Sequence, residues 1–139
     1  MTRGYVQLLL ITLLLVAFSA PIYGQRSSAC GSIEGAELVD SGGDYFGRVA
    51  SPYSADSIYN KYGTYGSRYS GSSIWNPYGA GSRYRSDSPW NRYSQGLRMV
   101  RNGVTIGRLT INQYATNAVS PLIVAATCYG LTDLVDPNE

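Results

Sequence analysis

Histidine is absent from the 139-residue chain, and lysine occurs once, at Lys61. The first absence removes the side chain that titrates nearest neutral pH, the usual general base. A Ser–Lys catalytic pair would have to use Lys61, which sits in a repeat whose other copies lack it. A solvated surface charge accounts for it better. Glu34, Glu37, Asp40 and Asp44 could supply paired carboxylates of the kind glycoside hydrolysis needs. They crowd a glycine-rich leader, however, where solubility explains them more simply. Charge of one sign is scarce as well: eleven basic side chains face nine acidic ones, too even a balance to steer a polyanion or a cation over distance. Branched aliphatics nearly vanish from residues 51–96, where only Ile58 and Ile74 occur. These absences point to a protein that is not an enzyme, with no catalytic residue and no cofactor or metal assigned.

The N-terminus carries what the middle lacks. Arg3 precedes an apolar run, Leu8-Leu9-Leu10-Ile11-Thr12-Leu13-Leu14-Leu15-Val16-Ala17-Phe18. It has the length of a signal-peptide h-region and falls short of a span of about 20 residues. Pro21 and the small residues Ser19, Ala20 and Gly24 follow. Residues 1–24 are therefore read as a signal peptide cleaved after Gly24. An uncleaved anchor, with the run extended over residues 6–23, is the alternative. Residues 25–139 form one domain in this reading, secreted or periplasmic, with ten basic and nine acidic side chains.

Only two cysteines are present, Cys30 and Cys128, near opposite ends of that domain. An even pair in an oxidising compartment is expected to form a disulfide.

Residues 51–96 contain three tandem copies of a 15–16-residue unit, opening at Ser51, Ser67 and Ser82. The copies share Ser-x-Tyr, then Ser-x-aromatic-Asn-x-Tyr, then a closing glycine. Tyr53, Tyr69 and Tyr84 head the units; Tyr59, Trp75 and Trp90 share a second position; Tyr62, Tyr78 and Tyr93 share a third. Gly, Ser, Asn, Asp and Pro dominate, and their side chains compete for backbone hydrogen bonds. Irregular turns are expected, with a short helical turn over residues 54–60 and its counterparts. Aromatic rings would supply the burial that aliphatics do not, each copy leaning on the next.

Strand-like segments bracket the repeat. Ser41-Gly42-Gly43 reads as a turn between residues 37–40 and 45–50. Arg101-Asn102-Gly103 reads as a hairpin turn between residues 97–100 and 104–111. The fold class expected is β-rich with much irregular structure: a small antiparallel sheet, the repeat inserted into it. Ser120-Pro121 and Gly130 frame a C-terminal segment with helix start and stop signals, although its β-branched run also suits a buried strand.

Residues 57–70, Ser-Ile-Tyr-Asn-Lys-Tyr-Gly-Thr-Tyr-Gly-Ser-Arg-Tyr-Ser, together with Leu109-Thr110-Ile111-Asn112-Gln113-Tyr114, resemble a family of small uncharacterised bacterial proteins. Its members pair a Phe-Leu-Gly-x-Leu-like opening strand with tandem Tyr-Gly-Ser repeats and a Gly-x-Leu-Thr-x-Asn closing strand. The resemblance covers roughly residues 44–120 and implies a bacterial source and export; it brings no ligand or activity with it. The shortened Gly79-Ala80-Gly81 junction and the cysteine pair depart from the family's pattern.

The repeat offers residues for three kinds of binding. Asp56 and Asp87 share one repeat position, near Ser57/Ser88 and Asn60/Asn91, an oxygen-rich set of the kind calcium favours. Turn capping is the simpler role, since the second copy has Ser72 there. Steps such as Arg68-Tyr69 and Arg92-Tyr93 suit single-stranded nucleic acid, but export argues against that partner. A cell-envelope glycan fits better, with Tyr59, Trp75 and Trp90 as a ladder of ligand contacts. The main expectation is a structural or protein-interaction module in which those rings are core, and solvent access separates the two.

Overall fold

The computed structural model describes residues 27–139; the expected signal peptide lies outside the described residues. Helix α1 (Ser28–Ile33) leads into strands β1 (Glu37–Val39) and β2 (Tyr45–Arg48). The repeat follows, then β3 (Leu97–Arg101), β4 (Val104–Leu109), β5 (Ala118–Val119) and helix α2 (Pro121–Tyr129). The sheet order is β2-β1-β3-β4-β5. Both turns expected from the sequence are present. Asn102 and Gly103 take φ of 50° and 75° between β3 and β4, the left-handed pair that a two-residue hairpin needs.

The sheet is mixed and not wholly antiparallel. β5 runs parallel to β4, pairing Arg108 with Ala118 and Leu109 with Val119. A two-residue edge strand carries too little alternation to be seen in a sequence. α1 was likewise unexpected. At six residues it is below the length at which a helix stands alone. The C-terminal segment is helix, as its caps suggest: Pro121 occupies the first turn and Gly130 stops it at φ 67°.

Alternation along the strands sends Leu38, Leu97, Met99 and Leu109 inward, each at most 3% exposed. Against this layer lie Ile58 and Ile74, fully buried, and the rings of Tyr59, Trp75 and Trp90. Cys30 and Cys128 form the expected disulfide, their Cα atoms 5.5 Å apart, and tie α1 to α2. No described helix is long and apolar enough to cross a membrane.

Candidate functional site

The repeat is regular where irregularity was expected, and no helical turn forms over residues 54–60. It is a coil of consecutive three-residue steps. In the first copy, backbone N–H groups of Ser54, Ser57, Asn60 and Gly63 each donate to the carbonyl three residues earlier, at 2.9–3.2 Å. The second copy repeats this at Ser70, Ser73, Asn76 and Gly79, and the third at Arg85, Ser88, Asn91 and Ser94. Ser or Asn heads nearly every step because its side chain can accept the N–H two residues on, closing a second ring inside the turn.

Those headed steps present the aromatic rings. The N–H of Tyr53, Tyr69 and Tyr84 donates to Ser51, Ser67 and Ser82 Oγ at 3.2–3.3 Å. The N–H of Tyr62, Tyr78, Tyr93 and Tyr114 donates to Asn60, Asn76, Asn91 and Asn112 Oδ1 at 3.0–3.1 Å. All seven of these rings point to solvent, 86–97% exposed. Each Asn also reaches back with Nδ2 to a carbonyl of an earlier step: Asn60 to Ser54, Asn76 to Ser70, Asn91 to Arg85, Asn112 to Ser94. Tyr114 thus belongs to a fourth, partial copy in the turns between β4 and β5.

The middle ring of each copy lies on the opposite side. Tyr59, Trp75 and Trp90 are 5%, 3% and 2% exposed. They stack in a column with Tyr129 of α2, centroids 5.1–6.1 Å apart. Trp75 Nε1–H donates to the Ile58 carbonyl at 2.5 Å, and Trp90 Nε1–H to the Ile74 carbonyl at 2.6 Å. Tyr59 Oη–H donates to the Pro121 carbonyl at 2.8 Å, and burial pushes this phenol's pKa upward. These three rings belong to the core, and only edges of them reach solvent, Tyr59 and Trp75 at the floor of one surface groove and Trp90 at the floor of another. The rings that stand in solvent are the first and third of each copy.

Close approach fixes the junctions. A Cβ on Gly66 would lie 2.1 Å from the Asn60 carbonyl oxygen, and one on Gly81 would lie 2.2 Å from that of Ile74. No side chain fits there, which is why a glycine closes each of these copies.

The shared carboxylates do not cap turns. Asp56 Oδ2 accepts from Tyr45 Oη at 2.6 Å and from Arg48 Nε at 2.8 Å, while Arg48 also meets Glu37 at 2.9 Å. Asp87 Oδ2 accepts from Ser41 Oγ at 3.0 Å. Both therefore anchor the repeat to the β1–β2 hairpin. Among the described residues no acidic or cysteine cluster has the makings of a metal site. The bond from Tyr45, with help from Arg48, holds the Asp56 carboxyl below its ordinary range. Burial, then the bond to Asp56, raises the Tyr45 phenol.

A group whose folded pKa is depressed stabilises fully above its unfolded value and loses that contribution as pH falls. The urea midpoint should therefore drop below about pH 4, the ordinary carboxylate range. Asp56→Asn should start lower at neutral pH and fall less over the same window. An equal acid drop in both proteins would remove Asp56 from the account.

Four of the seven outward tyrosines follow a cation: Lys61-Tyr62, Arg68-Tyr69, Arg83-Tyr84 and Arg92-Tyr93, all exposed. Lys61 and Arg83 lie 5.2 and 5.8 Å from the ring beside them. Grooves of about 600 and 530 Å³ open beside the Tyr62/Tyr69 and Tyr84/Tyr93 pairs. A third, of about 460 Å³, opens between Tyr93 and Tyr114. No family model matches the chain, and neither a curated protein nor a solved structure matches it.

Proposed function

We propose that the protein is an exported, non-enzymatic interaction module whose outward tyrosine rows form its contact surface. The observation that carries this is the division of the aromatic rings: the middle ring of each copy, joined in the first by half-buried Tyr65, serves the core, yet each copy keeps two more almost wholly in water. Exposed tyrosine offers large amphipathic contact area at low entropic cost, and neighbouring arginine is the cation most enriched at binding surfaces. Seven copies of one turn hold these rings on a hydrogen-bonded frame. Export rests on the N-terminal signal pattern, and the Cys30–Cys128 bridge suits an oxidising compartment. The bacterial family resembled by residues 44–120 agrees with that setting.

The alternative ligand, a cell-envelope glycan, would meet mainly the outward rows, because Tyr59, Trp75 and Trp90 show only edges at the groove floors. Retention on an isolated cell-envelope preparation tests both readings. Tyr69, Tyr78, Tyr84 and Tyr93 changed together to serine should leave thermal stability nearly as it was, since fully exposed positions cost within about 0.5 kcal/mol each. The same variant should lose retention. Protease treatment of the envelope should abolish binding of the unaltered protein; loss on glycan hydrolysis alone would favour the sugar. Undiminished retention of the serine variant would sink the surface assignment.

A further inference from the structure

The chain supplies a partner for its own grooves. Residues 131–139 leave α2 without regular helix or strand and run along the face that bears the cation–tyrosine steps. Asp133 and Leu134 line the groove that holds Lys61, Tyr62, Arg68 and Tyr69. Asp136, Asn138 and Glu139 line the next, with Arg83, Tyr84, Arg92 and Tyr93. Asn138 clips the segment in place. Its Oδ1 accepts the Arg83 N–H at 3.1 Å, its carbonyl accepts Arg83 Nη2 at 2.8 Å, and its Nδ2 donates to the Gly81 carbonyl at 2.9 Å.

The match is chemical as well as spatial. Three carboxylates lie on the segment, at Asp133, Asp136 and Glu139, and four cations lie in the grooves. Yet both ion pairs among the described residues belong to Arg48. The segment is held by the hydrogen bonds of Asn138, which engage Arg83, and leaves the groove cations without a carboxylate partner. Lys61, Arg68 and Arg92 therefore remain available to a longer or more acidic strand.

We propose that this face binds an extended acidic polypeptide, and that residues 131–139 occupy part of the same surface as a built-in competitor. The inference rests on the outward rows being the contact surface, and it names the partner class. Rings flanking the grooves would pack on the strand's aliphatic stems, while the adjacent cations meet its carboxylates. Charge pairing at an exposed face sets the rate of encounter and selects against basic partners. It also makes binding sensitive to salt, because the screening length is about 10 Å at 0.1 M.

The test uses the full disulfide-closed protein and fluorescein-labelled oligo-L-glutamate, read by anisotropy. Lys61→Gln/Arg68→Gln/Arg92→Gln, which leaves the Arg83–Asn138 clip intact, should weaken binding roughly tenfold or more and flatten its salt dependence. Asn138→Ala should tighten it several-fold, because freeing the surface raises the competent fraction. Near-ultraviolet circular dichroism of Trp75 and Trp90 checks that each variant keeps its core. Sodium polygalacturonate, equally anionic but a sugar chain, is the control. If it binds as tightly as oligoglutamate, the polypeptide assignment is overturned. If Asn138→Ala leaves affinity unchanged, the competitor role is overturned. No binding of oligoglutamate, with envelope retention through the tyrosine rows intact, would reject the acidic partner and leave the contact surface standing.

Discussion

Trp75→Ala should cost about 4 kcal/mol of unfolding free energy, whereas Tyr78→Ala, three residues along the same turn sequence, should cost less than about 0.5. The contrast follows from the two sides of the coil. The Trp75 ring is 3% exposed and that of Tyr78 is 97% exposed. Removing the indole deletes the middle of the column, between Tyr59 and Trp90 at 6.1 and 5.4 Å. It leaves a cavity and also strips the Ile58 carbonyl of its donor. An orphaned buried carbonyl adds about 1–3 kcal/mol to the loss of packing. Total stabilities of small domains lie at about 5–15 kcal/mol, so this one change approaches the threshold of unfolding. Trp75→Phe separates the parts: the ring stays, the bond goes, and only the smaller cost should remain. Urea unfolding of the three variants beside the parent measures this. Equal midpoints for Trp75→Ala and Tyr78→Ala would mean that the column does not carry the repeat.

The distinction between these two kinds of ring was partly present in the sequence, one residue upstream: isoleucine marks two buried rings and a cation four exposed ones, while proline precedes both kinds. Ile58, Ile74 and Pro89 precede the buried rings. Pro52, Lys61, Arg68, Pro77, Arg83, Arg92 and Gln113 precede the exposed ones. A turn holding an unpaired arginine cannot face a dry core, so its aromatic neighbour goes outward with it. Both turns and the C-terminal helix were legible because each is a local signal, and the disulfide because Cys30 and Cys128 have no other cysteine to pair with. The three-residue step was legible too, as Ser or Asn at 51, 54, 57 and 60 and again at 67, 70, 73 and 76. Templates of 2 and 3.6 residues pass over that period.

What the sequence did not disclose depends on residues distant along the chain. Nothing near Asp56 announces Arg48 and Tyr45 as its partners. Nothing near Asn138 announces the Gly81 carbonyl, 57 residues away. β5 exists only because β4 offers it an edge. Tyr114 escaped notice as a repeat residue because it lies beyond β3 and β4, although Asn112-Gln113-Tyr114 repeats the Asn-x-Tyr signal.

Breaking the Cys30–Cys128 bridge should be the other costly change, at about 4–5 kcal/mol for Cys30→Ser/Cys128→Ser. The bridge closes a separation of 98 residues, nearly the whole described chain. In the chain-entropy account its main effect is on the unfolded ensemble, whose freedom it restricts. The folded side suggests where the loss appears first. α1 is six residues long and buries only Cys30. Apart from the bridge it is held by Ile33, half-buried against the core, by Arg101, which donates to the Gly31 and Glu34 carbonyls, and by the contact of Tyr129 with Glu34. One half-buried side chain and polar contacts at a partly exposed site hold a helix this short only weakly. Without the bridge, α1 should exchange its amide hydrogens at nearly unprotected rates while the Trp75–Trp90 column stays protected. α2 should hold through the Tyr59–Pro121 bond and the burial of Val124 and Ala125. Hydrogen exchange resolved by segment, before and after reduction, reads both ends at once. If α1 alone is released and the urea midpoint hardly moves, the bridge is a local clasp. If the midpoint falls by the expected amount while α1 is released and the column stays protected, the bridge both restricts the unfolded chain and clasps α1; α1, α2 and the column opening together would mean that the whole fold depends on it.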